Sequence, residues 1–187
     1  VPALAIIQEL YFRKTYNTPD KIQEVEMDGL KRLNNKISLI KKSNIKFMDF
    51  GSRRRFSKKW QHTVVGTLLK HVPENIIGTS NVLIAKTLNI KPIGTMAHEF
   101  FSAMQGLDFM PIELSQKFAL HQWYKEYNGK LDVALTDIFN IDSFIHDCDY
   151  NLLTKYSGFI HDSGCPNMWG ERLINHFVNY GINPKDK

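Results

Sequence analysis

The chain has 187 residues, 43% of them hydrophobic and 12% aromatic, enough to bury a sizeable core and too apolar for a disordered segment. Its formal charge of +5 comes from 18 Lys and 6 Arg, mostly scattered, which describes a solvated surface with a mild preference for anions. No apolar run reaches the ~18 residues of a membrane span, and no signal-peptide pattern is present. Cys148 and Cys165 fit neither a disulfide framework nor a zinc pattern, so two free thiols in a reducing compartment, the cytoplasm, are expected.

The chain begins on Val1 inside an apolar helical pattern and stops on a polar loop at 184–187, so a piece of a longer polypeptide is expected. Ala3, Ile6, Ile7, Leu10, Tyr11 and Tyr16 suit a first helix with a broad apolar face. Thr18-Pro19-Asp20 opens a second, running through Val25, Leu30, Leu33 and Ile37 to Lys42. Both are packing elements without chemistry.

Residues 45–50, between Asn44 and Gly51, alternate as a strand does and deliver Gly51-Ser52-Arg53-Arg54-Arg55 at its C-terminal end. Ser57 then caps a helix over 58–71. Arginines at a strand tip beside a helix N-terminus can hold phosphate bidentately, and one or two of the three would face a ligand. Surface solubility is the plain alternative.

Residues 75–77 form a minimal strand ending at Gly78-Thr79-Ser80-Asn81, with a helix through Leu88 behind it. A third short strand around Pro92 stops at Gly94-Thr95, and a helix starts near Ala97 with His98 in its first turn. Such a junction exposes backbone N–H groups to anions, and an imidazole there can serve as base, acid or nucleophile, or simply hydrogen-bond locally. The Met- and Phe-containing loop 106–111 is expected to pack on something. An amphipathic helix covers 113–127, where His121 sits among aromatics as a core or boundary residue. Asn128-Gly129 turns into a strand at 131–135 that ends at Thr136-Asp137, followed by a helix through Cys148. The last strand, 156–160, ends at His161-Asp162-Ser163-Gly164, and a helix follows over 169–180.

Five strand-then-helix units therefore carry polar tips at Arg53, Ser80, His98, Asp137 and Asp162, spaced 27, 18, 39 and 25 residues apart. That alternation predicts an α/β fold with a parallel sheet and flanking helices, preceded by two N-terminal helices. Five units are too few to close an eight-stranded barrel, so a fragment of an incomplete (β/α) barrel is expected. Parallel strands bring their C-terminal ends to one face, so these tips should share a cleft. Arginines and helix N-termini suit phosphates, the aspartates suit ribose hydroxyls or magnesium, and the histidine can accept a phosphoryl group. The set fits transfer chemistry on a phosphorylated sugar.

Taken in order, F-G-S-R-R-R-F-S, G-T-S-N, G-T-M-A-H-E-F, A-L-T-D and H-D-S-G resemble the motifs of the nicotinate phosphoribosyltransferase family along essentially the whole chain. The resemblance implies formation of nicotinate mononucleotide from nicotinate and phosphoribosyl pyrophosphate, coupled to ATP hydrolysis, in NAD salvage. It matches His98 to the transiently phosphorylated histidine and Arg53 to an arginine of the substrate pocket, where Ser80 also belongs. Gly94 and Thr95 would border the nicotinate site. Asp137 and Asp162 match acidic residues near the ribose and Mg2+. It further implies a homodimer, with neither nucleic acid nor a membrane as partner. Residues 1–187 would be a partial phosphoribosyltransferase barrel domain whose N-terminal domain and C-terminal remainder, with its glycine-rich phosphate loop, are absent.

Departures from the family pattern stand at the last motif, usually Arg-x-Asp-Ser-Gly-Asp. Here Ile160 takes the arginine position and Cys165 that of the final aspartate. Losing a bidentate contact whose buried partners remain costs on the order of 2–5 kcal/mol. The alternative reading is therefore an impaired or inactive paralogue that binds phosphorylated metabolites without turnover, and the isolated 187 residues are expected to be inactive. A third reading takes Arg53 to Phe56 with Lys58, Lys59 and Trp60 as a basic-aromatic nucleic-acid patch. His62, His71, His146 and His176 lie on helices without metal spacing.

Overall fold

The computed structural model describes residues 2–43 and 45–186 and divides into two compact units, Val1–Ile93 and Gly94–Lys187. Asn44, expected to bound a strand, and the terminal Val1 and Lys187 lie outside the described residues.

In the first unit, α1 (Pro2–Thr15) forms as its periodicity requires, but only Ala5 is buried on it. Ile7 and Tyr11 of the expected apolar face are 62% and 60% exposed. The helix docks instead through Phe12, whose ring meets Phe56 at 5.1 Å. α2 (Pro19–Ile40) starts where Thr18 accepts from the Lys21 N–H and buries Leu33 and Ile37. β1 (Phe47–Asp49) leads through a 3₁₀ turn, Gly51–Arg54, to α3 (Lys58–His71), capped by Ser57 as expected. β2 (Ile76–Thr79) follows, then α4 (Val82–Leu88), which ends on Asn89 in the left-handed region at φ 52°.

β1 and β2 pair in parallel, with Asp49 opposite Thr79. The third expected strand shrinks to one parallel bridge between Thr79 and Pro92. Proline has no N–H to extend the ladder, which explains the reduction. The bridge needs Gly78 beneath it, because a Cβ there would stand 2.3 Å from the Lys91 carbonyl oxygen. Leu33, Ile37, Val65, Leu68, Val72, Ile76 and Ile84 make the core.

The second unit runs α5 (His98–Gln105), α6 (Ile112–Tyr127), β3 (Val133–Leu135), α7 (Ile141–Asp147), α8 (Tyr150–Lys155), β4 (Gly158–Ile160) and α9 (Pro166–Asn179). β3 and β4 are parallel and in register, Leu135 opposite Ile160. Their core joins Phe101, Leu120, Phe144, Leu152, Leu153 and Tyr156, with the Tyr156 hydroxyl donating to the Leu120 carbonyl at 2.8 Å. Two differences from expectation stand out. α8 is a single capped turn and a half, too short to show a period in sequence, and α9 begins earlier than expected because Pro166 opens it. Phe109 of the 106–111 loop meets Phe118 edge-on at 6.0 Å yet remains 73% exposed.

Cys148 and Cys165 are both free. Burial pushes the Cys148 thiol up to about 12, with the nearby Asp149 carboxylate adding to it, so this thiol is inert at neutral pH. His121 is half-buried; burial and then the Lys155 ammonium hold its pKa below the ordinary value.

α8 depends on Asp149, which accepts from the Leu152 N–H at 3.1 Å and pairs with the Lys117 ammonium at 2.8 Å. Burial raises the Asp149 pKa, but the Lys117 and Leu152 hydrogen bonds outweigh it and leave the carboxyl below its ordinary 3.8. The hydrogen bond to Asp149 raises Lys117 above its ordinary 10.5. The pair's contribution is therefore full between those two ordinary values; it fades as acid titrates the carboxyl or alkali the amine. Asp149→Asn should keep much of the cap while flattening the acid limb of a stability-versus-pH curve. An unchanged limb would rule the pair out as its source.

Candidate functional site

The second unit assembles its site from the ends of its two strands. Because Leu135 and Ile160 are partners in a parallel ladder, residues two positions beyond each, Asp137 and Asp162, leave the sheet side by side. Thr136, fully buried, fastens the junction: its hydroxyl donates to the Ile160 carbonyl and accepts from the Trp169 indole, each at 2.8 Å. His98 reaches the same place from the first residue of α5, after the N-cap Ala97.

His98 Nε2 lies 3.1 Å from Asp137 Oδ1 and 3.8 Å from Asp162 Oδ2. The other oxygen of Asp137 accepts from the Ser163 hydroxyl at 2.6 Å. Asp137 is thus the hinge of the cluster, its side chain 14% exposed against 45% for His98 and 60% for Asp162. An imidazole that donates Nε2–H to a carboxylate carries its lone pair on Nδ1 and has its ring orientation fixed. One ligand atom each from His98, Asp137 and Asp162 falls within a 4.8 Å span. Asp137 and Asp162 each offer a carboxylate oxygen there, the ligand type that a hard cation such as Mg2+ prefers over imidazole nitrogen.

His98, Asp137 and Asp162, far apart in sequence and expected to share a cleft, therefore meet. Gly94 and Thr95 lie in the connection before α5, Gly94 exposed and Thr95 half-buried, and no hydrogen bond among the described residues ties either to the cluster.

Arg53 and Ser80 belong to the first unit. Arg53 stands exposed on the 3₁₀ turn, and the Ser80 N–H donates to the Asp49 carbonyl at 2.8 Å. Beneath them lies a polar network that the motif reading passed over. Asp49 Oδ2 accepts from the Thr79 hydroxyl at 2.6 Å and from Gln61 Nε2 at 2.9 Å. Asp49 Oδ1 accepts from the Gly51 N–H at 3.0 Å. Asn81 caps α4 and donates to Gln61 Oε1 and to the Ser52 hydroxyl, both at 3.1 Å. The signal available in sequence was a glutamine, Gln61, one helical turn before the core residue Val65 and so on the inward side of α3; it is 4% exposed.

A family model described as the nicotinate phosphoribosyltransferase (NAPRTase) family matches residues 45–187. The chain belongs to this family. A nicotinate phosphoribosyltransferase of Cupriavidus necator is 40% identical over 190 residues, covering 100% of this chain and 47% of the relative. One from Acinetobacter baumannii is 43% identical over 193 residues, covering 98% and 46%. Among solved structures, the nicotinate phosphoribosyltransferase of Vibrio cholerae superposes with a TM-score of 0.83 at 35% identity, covering 98% of this chain and 44% of that one. The Porphyromonas gingivalis enzyme gives 0.84 at 28% identity, covering 98% and 45%. The chain spans about half the length of the curated relatives it matches.

Within this NAPRTase-family chain, the two departures are structurally quiet. Ile160 packs against the core while its carbonyl accepts from Thr136, and Cys165 is exposed at the N-cap of α9 without a side-chain cap bond. Neither position supplies a charge to the cluster.

Proposed function

We propose that the polypeptide carrying this chain is a nicotinate phosphoribosyltransferase of NAD salvage. It would join nicotinate to phosphoribosyl pyrophosphate, releasing nicotinate mononucleotide and pyrophosphate, with ATP hydrolysis coupled through a phosphohistidine. Family membership supports the reaction class, and the 3.1 Å contact of His98 with Asp137 is the observation that carries the role of the histidine.

In this reading the His98 Nδ1 lone pair attacks the γ-phosphorus of ATP, the bond to the bridging oxygen breaks, and ADP leaves with the electron pair. Asp137 holds the Nε2 proton and offsets the positive charge that develops on the ring, while Ser163 keeps Asp137 oriented. Hydrolysis of phosphohistidine returns the imidazole and phosphate. Mg2+ bound through Asp137 and Asp162 would neutralise phosphate charge. Arg53 and Ser80 would contact the phosphorylated substrate, and Gly94 and Thr95 would border the nicotinate. The two parallel strand pairs would be segments of an incomplete barrel, residues 1–187 being part of that domain, in a cytoplasmic homodimer.

The charge-free positions at Ile160 and Cys165 favour a second reading, a module that binds phosphorylated metabolites without turnover. One assay separates the two. The longer polypeptide, given nicotinate, phosphoribosyl pyrophosphate, ATP and Mg2+, should form nicotinate mononucleotide, followed by chromatography. Saturable binding of the substrates with no product would instead establish the binding module.

A further inference from the structure

The first unit contains a basic cleft whose lining shares Asn81 with the polar network and includes none of His98, Asp137 and Asp162. It has a volume of about 640 Å³ and lies between α3 and α4, lined by Arg55, Lys58, Lys59 and His62 on one side and by Asn81, Leu83, Ile84 and Thr87 on the other. Neither Arg53 nor Ser80 lines it, and its described lining holds three permanent cations and no carboxylate. A counter-charge beside it is Glu9, which is already shared: it pairs with Arg13 at 2.8 Å and accepts from the Lys58 N–H at 3.0 Å. It also forms an ion pair with the Arg55 guanidinium at 3.8 Å, beyond hydrogen-bond distance. Arg55 is only 15% exposed, and its Nε, buried, has no hydrogen-bond partner among the described residues. A largely buried guanidinium whose one ion pair is long and shared and whose Nε–H is unpartnered among the described residues, beside two lysines, can take an anion.

The shape argues for a small anion over a nucleic-acid strand. Single strands are held by exposed aromatic platforms beside the basic groups. Here the adjacent aromatics are engaged elsewhere: Phe56 packs against Phe12 and Tyr16 at 5.1 and 6.0 Å. Trp60 presses against α2 so closely that a Cβ on Gly29 would stand 2.5 Å from its ring. What the cleft offers instead is cationic groups and polar donors on one side and an apolar wall of Leu83 and Ile84 on the other. We propose that this cleft binds a phosphorylated small molecule carrying two or more negative charges, with a polyphosphate group against Arg55, Lys58 and Lys59.

The polyphosphate could belong to a nucleotide or be inorganic, and the test distinguishes these. Tripolyphosphate and ADP would be titrated by calorimetry into the longer polypeptide bearing His98→Asn, which disables the other proposed phosphate chemistry. A binding isotherm is expected for both probes, with ADP tighter if the apolar wall contributes. Lys58→Gln/Lys59→Gln should weaken that isotherm by about ten-fold or more, since two charge-assisted contacts are lost. The control Lys41→Gln/Lys70→Gln removes the same charge from outside the cleft and should leave it within about two-fold. Equal weakening by both doubles, or none by the first, would overturn the site. So would single-stranded RNA binding more tightly than either probe with the same dependence on Lys58 and Lys59. Melting temperatures of the two doubles, which alter exposed side chains, should match the parent.

Discussion

His98→Asn should reduce acid-labile phosphate, formed when the longer polypeptide is incubated with γ-labelled ATP, to background. The asparagine is close to isosteric with part of the ring but offers no nucleophilic nitrogen. Asp137→Asn tests the geometry more finely. It preserves the shape beside Nε2 but removes the charge that stabilises the phosphorylated ring, and its amide can force the opposite tautomer. A buried carboxylate-to-amide change in a comparable dyad costs about 10⁴-fold, so a loss of roughly 10²–10⁴-fold in phosphorylation rate is expected. Ser163→Ala leaves the charge and removes only the 2.6 Å bond to Asp137, so roughly ten-fold is expected. The order His98 > Asp137 > Ser163 is the signature. Wild-type labelling in His98→Asn would remove the histidine from the mechanism, whatever the other two variants did.

What could be read from sequence divides by range. Helix starts at Thr18 and Ser57 were legible because a cap is settled within four residues, and each has the predicted structural consequence. The meeting of Asp137 with Asp162 was legible for a longer-range reason: parallel register carries equivalent strand tips to the same place. The strand at Pro92 was misjudged because apolar neighbours signalled extension while the missing N–H limited pairing to one bridge. α8 escaped because six residues contain too little periodicity to register. Asp49, Gln61 and Asn81 escaped for a different reason. Their partners lie 12, 20 and 30 residues away, and nothing in the local pattern says that a strand-end aspartate will meet a threonine of the neighbouring strand.

That network carries the second large expectation. Asp49→Ala should destabilise the first unit by about 2–5 kcal/mol, because Thr79, 0% exposed, would keep a buried hydroxyl with no acceptor and the Gln61 amide, 4% exposed, would keep only the Ser52 hydroxyl. Asp49→Asn retains one oxygen and the shape, so it should cost less, about 1–3 kcal/mol. Thr79→Val keeps the volume and removes one donor from a carboxylate that still has Gln61 and Gly51, but takes the acceptor from the Asn81 N–H; about 1 kcal/mol follows. Amide hydrogen exchange gives the comparison its internal control. Protection at residues 76–79 should fall in this order, while residues 133–135 of the other unit hold theirs. The functional consequence follows from what the network fastens: Asp49 anchors Gly51 and Ser80 by their backbone N–H groups, and Asn81 holds Ser52, so the turn bearing Arg53 is positioned from below. In the longer polypeptide, Asp49→Asn should raise KM for phosphoribosyl pyrophosphate several-fold more than it lowers phosphorylation of His98. Equal losses in both would mean that the aspartate supports folding alone and does nothing particular for the arginine turn.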